Sequence, residues 1–137
     1  MPVRVVITPQ AAALVRRLQE QYGPLMFHQS GGCCDGSAPM CFRRDQFRVG
    51  ASHVLLGVVE ACPFYIGGAQ FETWAYTQLI IDVGPAGGDS FSLEVPEGVR
   101  FVTRSRVFTD AEAADLDAAG PPPRGPDALN VVEAHPR

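Results

Sequence analysis

Residues 54–66 read VLLGVVEACPFYI, two short apolar runs, Val54–Val59 and Pro63–Ile66, parted by only a few residues that include Ala61 and Cys62. Runs of this length, rich in β-branched and aromatic residues and separated by so little chain, predict two strands of a meander. The reading extends downstream. Leu79–Val83 is a further β-branched stretch, ended by Gly84 and Pro85. The loop Gly87, Gly88, Asp89 precedes an alternating segment with Phe91, Leu93 and Val95, and Pro96 and Gly98 mark the next turn. From Val99 to Val107 the chain alternates, with Phe101, Thr103 and Ser105 on one side and Arg100, Val102, Arg104 and Arg106 on the other. That pattern predicts a strand with a mainly basic outer face.

Upstream, Val3–Ile7 predicts a short strand, and Thr8 followed by Pro9 is a helix start, an N-cap and a first-turn proline. Ala11, Leu14, Val15, Leu18 and Tyr22 then recur at helical spacing until Gly23 and Pro24. Thr109 with Glu112 forms a capping box and opens a short alanine-rich helix to about Ala119. Gly120 and three prolines follow, and the weakly apolar run to Arg137 predicts a disordered tail. The expectation is one globular domain over 1–119 with a tail over 120–137. Its fold class is mostly β (α+β), a twisted, mostly antiparallel sheet or flattened barrel with an N-terminal helix and a short C-terminal helix.

At 137 residues such a domain buries enough surface to fold without obligatory disulfides or metal. The net charge of −4, with no long basic stretch, argues against nucleic acid as a partner. No run approaches the roughly 20 apolar residues of a membrane span, and Met1–Thr8 lacks the apolar stretch of a signal peptide. A cytoplasmic location is expected. There, Cys33, Cys34, Cys41 and Cys62 read as free thiols, metal ligands or redox groups before they read as bridges.

The segment Phe27–Cys41 carries the chemistry. His28, Cys33, Cys34, Asp35, Met40 and Cys41 stand on one strand end and one glycine-rich loop, with Gly31, Gly32 and Gly36 free to take positive φ. Thiolate and imidazole together suit zinc, iron or copper(I). Cys33, Cys34 and Cys41, with His28 as fourth candidate, are therefore the expected ligands of a transition metal. A nucleophilic reading stays open beside this one, in which His28 activates Cys33 or Cys34 as the catalytic thiol. So does a plainer one, in which the cysteines are small buried hydrophobes. His53 and Cys62 are candidates only as ligands brought in from other strands. Asp82, inside an apolar strand, is expected to have an Arg or backbone partner.

Four stretches carry a family resemblance: FHQSGGCCDGSAPMC at 27–41, LLGVVEACPFYI at 55–66, FETWAYTQLIIDV at 71–83 and FSLEVPEGVRFVTRSRVF at 91–108. Together they closely resemble a bacterial family of unknown function whose members are often encoded beside aldehyde dehydrogenase genes. A more distant likeness is to the HesB-like A-type iron-sulfur carriers. It rests on Thr8–Leu18, Gly31–Gly36 and Asp89–Leu93, which are similar to the carriers' T-x-x-A-A helix, G-G-C-x-G loop and late strand. By that likeness Cys33 or Cys34 takes the place of the first cluster cysteine. Thr103, Arg104 and Ser105 stand where the carriers have a second C-x-C pair, so a metal here would be held by the loop with His28, Cys41 or Cys62.

Three functions follow as expectations. The first is a metal-binding accessory protein, for delivery or sensing, with an aldehyde dehydrogenase as candidate partner. The second is a thiol enzyme or redox partner in aldehyde metabolism. The third is a structural protein-binding module. An open antiparallel sheet also makes a homodimer an expected assembly.

Overall fold

The computed structural model describes residues 3–29, 39–85, 92–94 and 98–130. The chain runs β1 (Val5–Ile7), α1 (Pro9–Tyr22), β2 (Leu25–Gln29), β3 (Met40–Arg43), a 3-10 turn (Arg44–Gln46), β4 (Val54–Val59), β5 (Cys62–Ile66), α2 (Gly68–Trp74), β6 (Thr77–Pro85), β7 (Val99–Val107) and α3 (Asp110–Ala119). It is an α+β fold with an N-terminal helix and a short C-terminal helix, as its sequence patterning implies.

The strands form two sheets, ordered β1-β6-β7 and β3-β2-β5-β4, and no closed barrel forms among the described residues. Both sheets are mixed: β1 lies parallel to β6 and β2 parallel to β5, while β2–β3, β4–β5 and β6–β7 are antiparallel. Parallel neighbours need a crossover, which α1 and the segments after it supply. The main core is shared by the two sheets and α1. Phe27 of β2 lies edge-on to Phe101 of β7 with centroids 5.0 Å apart and stacks on Phe64 of β5 at 5.9 Å. Helix α1 adds its buried Ala11, Leu14, Val15 and Leu18 to the same core. A second, smaller cluster of Met26, Leu55, Tyr65 and Ala128 occupies the other face of the four-stranded sheet.

Local chemistry explains where the elements begin and end. The Thr8 hydroxyl accepts the Ala11 N–H at 3.2 Å, and Gly23, at φ +82°, closes α1. At α3 both halves of the Thr109–Glu112 capping box are formed. Asp82 accepts hydrogen bonds from the Thr8 hydroxyl (3.0 Å), the Val83 N–H (2.8 Å) and Arg104 (3.1 Å), so it has both backbone and Arg partners. Those bonds, the Val83 N–H first, hold its carboxyl below the usual range and join the start of α1 to β6 and β7. Gly57 lets β1 come close to β4, because a Cβ there would stand 3.0 Å from Val5 Cγ1.

Four segments differ from the expectation for the chain, two of them by forming an element: Gly68–Trp74 is a helix, and Met40 and Cys41, expected in the loop, stand in β3. Ser92–Glu94, expected within an alternating strand, forms a turn. Its Leu93 N–H donates to the Cys41 carbonyl at 3.1 Å, and Ser92 Oγ accepts the Cys41 N–H at 2.8 Å. Residues 121–130, expected within a disordered tail, instead lie along β4. Leu55 N–H donates to the Pro123 carbonyl at 3.0 Å, Arg124 bridges Val54, and Ala128 is buried. Backbone hydrogen bonds hold this segment, and these do not depend on an apolar side-chain pattern. Residues 131–137 lie outside the described chain.

The β4–β5 turn stores strain. Val59 pairs with Cys62 across Glu60 and Ala61, which sit at φ +48° and +63°, the left-handed region that glycine or asparagine ordinarily fills in a two-residue hairpin. Helix α1 holds the turn in place: Gln19 Nε2 donates to the Glu60 carbonyl at 2.8 Å, and Arg16 pairs with Glu60 at 3.2 Å. Ala61→Gly is therefore expected to stabilise the protein by about 0.5–1 kcal/mol in denaturant melts. A loss of stability would show that the turn carries no strain.

Candidate functional site

The Cys-bearing segment connects β2 to β3, an antiparallel pair whose register runs Leu25↔Arg43, Met26↔Phe42, Phe27↔Cys41 and His28↔Met40. Cys33 and Cys34, with Gly31, Gly32, Asp35 and Gly36, lie outside the described residues. Their anchors are described: Gln29 on one side and Pro39 on the other, each next to the His28↔Met40 pair. Paired strands stand about 5 Å apart. The connection thus leaves and returns at the strand ends where His28 and Met40 face each other.

Side chains alternate across a strand, so Phe27 and Cys41 share one face and His28 shares the opposite face with Met26. Cys41 is fully buried in the main core with Phe27. His28 lies on the other face, its ring 4.7 Å from that of Phe47 and 4.8 Å from that of His53. Phe47 in turn stacks on Phe42 at 5.3 Å. The structure therefore brings His28 and His53 together and sets Cys41 on the far side of the sheet. His53 and the aromatic wall come from the chain between β3 and β4, which the sequence did not place beside His28.

The electrostatics separate these residues further. Burial, with some help from His53, pushes the His28 imidazole down to about 4, so it is neutral at physiological pH. Its Nε2 atom is buried and has no hydrogen-bond partner among the described residues. Gly50 N–H donates to His53 Nδ1 at 2.8 Å, which leaves the proton of a neutral His53 on Nε2. On that tautomer the Nε2 of His53 is a hydrogen-bond donor.

Cys41 and Cys62 are buried free thiols. Burial pushes the Cys41 thiol far up, with the nearby Glu94 adding to it, and raises Cys62 to about 11 against an ordinary 9.0. Neither presents a thiolate near neutral pH, which removes both from nucleophilic chemistry. Iodoacetamide at pH 7.5 is expected to leave Cys41 and Cys62 unlabelled in the native protein and to label both after denaturation, as read by peptide mass. A pH effect follows. Because folding favours the protonated thiols, their contribution to stability is complete below about pH 9, where the unfolded thiols are also protonated. It is lost as pH rises from there towards 11, and stability measured across that range should fall less in Cys62→Ala than in the native chain.

No three of the described His, Cys, Asp and Glu residues stand close enough to hold a metal ion. Among the described residues the site is one neutral imidazole whose buried Nε2 has no hydrogen-bond partner, on the strand that precedes the cysteine-bearing connection. No helix among the described residues is long and apolar enough to cross a membrane.

The described chain is thus two mixed sheets packed with an N-terminal helix, with a cysteine-bearing connection between β2 and β3. The chain belongs to the family described as Domain of unknown function (DUF779), which matches residues 14–107, from within α1 to the end of β7. No curated protein and no solved structure matches it.

Proposed function

We propose that this protein is a metal-binding accessory protein, holding a transition metal (zinc, iron or copper) through Cys33, Cys34 and His28 for delivery or sensing. The observation that carries the reading is the His28 Nε2 atom: buried, uncharged and without a described partner. A buried polar atom left unpaired costs about 1–3 kcal/mol. A metal ligated at Nε2 would satisfy it. Cys33 and Cys34 follow His28 by five and six residues, two soft donors close to it in sequence. Cys41 drops out of the ligand set because it faces the core. The resemblance to a family encoded beside aldehyde dehydrogenase genes makes such an enzyme the first recipient to assay.

The test is elemental analysis of protein purified anaerobically, without chelator or histidine tag. Stoichiometric metal in the native chain, retained in Cys41→Ala and lost in the Cys33→Ser, Cys34→Ser double variant, is the expected result. A folded native protein that carries no metal and takes up none on reconstitution overturns the reading. In that case the thiol reading, with Cys33 or Cys34 as nucleophile, takes its place.

A further inference from the structure

We propose that residues 44–53 form a cover over His28 and that residues 123–128 latch this cover shut, so that release of the latch controls access to His28. The inference rests on the metal reading for its purpose but not for its geometry. The cover is the 3-10 turn Arg44–Gln46 and the chain after it, which lays Phe47 and His53 against the His28 ring. A tight turn closes its far end, where His53 N–H donates to the Gly50 carbonyl at 3.1 Å and Gly50 N–H returns to His53 Nδ1 at 2.8 Å.

The latch grips that same end. Gly125 N–H donates to the His53 carbonyl at 2.9 Å, and Arg124 Nη1 reaches the Ser52 carbonyl at 3.5 Å. On its other side the latch lies along β4 through Leu55 N–H and the Pro123 carbonyl. Its seat is Ala128, buried among Met26, Leu55 and Tyr65 on the His28 face of the sheet, where Phe47 also packs. Gly125 adopts φ +87° to make the turn, a conformation that a residue with a Cβ adopts only under strain.

A device of this kind needs a latch weaker than the fold it closes. Here the latch buries one alanine fully, with Leu129 partly buried beside it, Arg124 over the Phe71 ring at 6.0 Å and a handful of hydrogen bonds, whereas β4 has a full ladder with β5 that does not involve the latch. Segments with so little buried apolar surface open locally at a small fraction of the global unfolding free energy. Lifting it releases the His53 carbonyl and frees the end of the cover that holds the imidazole in place.

Three measurements test this. In native protein, hydrogen exchange should be faster at the Leu55 and Gly125 amides, which bond across the latch, than at amides of the β4–β5 ladder. Equal protection would overturn the proposal without any variant. Next, Gly125→Pro removes the N–H and cannot reach φ +87°, and Ala128→Glu places a charge in the apolar seat. Each should raise the rate at which diethyl pyrocarbonate modifies His28 by about tenfold, the change expected when one or two hydrogen bonds that oppose opening are lost. His28 and His53 fall in different tryptic peptides, Leu18–Arg43 and Val49–Arg100, so their rates separate. An unchanged His28 rate in a folded variant overturns the latch. Last, zinc alone is added and its association rate followed. Faster association in the variants supports both readings, whereas faster His28 modification with no zinc bound keeps the latch and rejects the metal.

Discussion

Glu94→Ala is expected to lower the stability of the fold by about 3 kcal/mol, near the upper end for a single buried polar group. Glu94 is 1% exposed. Its Oε2 accepts the Phe101 N–H at 2.9 Å, and its Oε1 accepts the Ser92 hydroxyl, whose oxygen in turn accepts the Cys41 N–H at 2.8 Å. One side chain therefore ties β7 to the turn that borders β3. Removing it strands the buried Phe101 N–H and takes away the Glu94 bond of the Ser92 hydroxyl, both inside the core. Urea melts should show the fall in midpoint, and Glu94→Gln, which keeps one carbonyl acceptor, should lose roughly half as much. Equal stability of Glu94→Ala and the native protein would mean that this network contributes nothing.

Phe27→Ala is expected to cost about 4 kcal/mol, the usual range for emptying a phenylalanine site in a packed core. Phe27 is fully buried and touches Phe64 within its own sheet and Phe101 in the other, so its loss opens a cavity where the two sheets meet. The neighbouring position gives the contrast. His28→Ala removes a half-buried ring from the other face and an unpartnered Nε2 atom with it, and should cost far less. Alternation across β2 thus places a residue of the fold next to a residue of the proposed site. Thermal melts of the two variants side by side would show it, and a larger loss for His28→Ala would contradict the assignment of faces.

The elements that were legible in the sequence are those whose signal is local. Thr8 and Pro9 open α1, Thr109 and Glu112 open α3, and the apolar runs 54–59 and 63–66 are β4 and β5, because caps and short periodicities act within a few residues. Helix α2 has seven residues beginning at Gly68 after a glycine cap, too short for helical periodicity to declare itself. The parallel β1–β6 and β2–β5 pairings depend on contacts between distant strands, which no single segment encodes. Residues 121–130 looked like a tail because prolines and glycines carry no apolar pattern, yet their peptide groups pair with β4.

The site was legible in the same uneven way. His28 and the cysteines stand out by type alone. That Cys41 faces inward with Phe27 follows only once β3 and its register with β2 are known; alternation then sets it on the face opposite Met40 and Phe42. Phe47 and His53 reach His28 through the fold and not through spacing. Glu94 left one trace, an acidic residue between Leu93 and Val95.

Cobalt(II) titration under anaerobic conditions bears most directly on the proposed metal site, since thiolate ligands give cobalt an intense near-ultraviolet charge-transfer absorption. A saturable band at one equivalent is expected for the native protein, abolished in Cys33→Ser, Cys34→Ser, altered in His28→Ala and unchanged in Cys41→Ala. A native protein that shows no such band, or a band that survives the double substitution, would contradict the assignment of Cys33, Cys34 and His28 as the metal-binding residues.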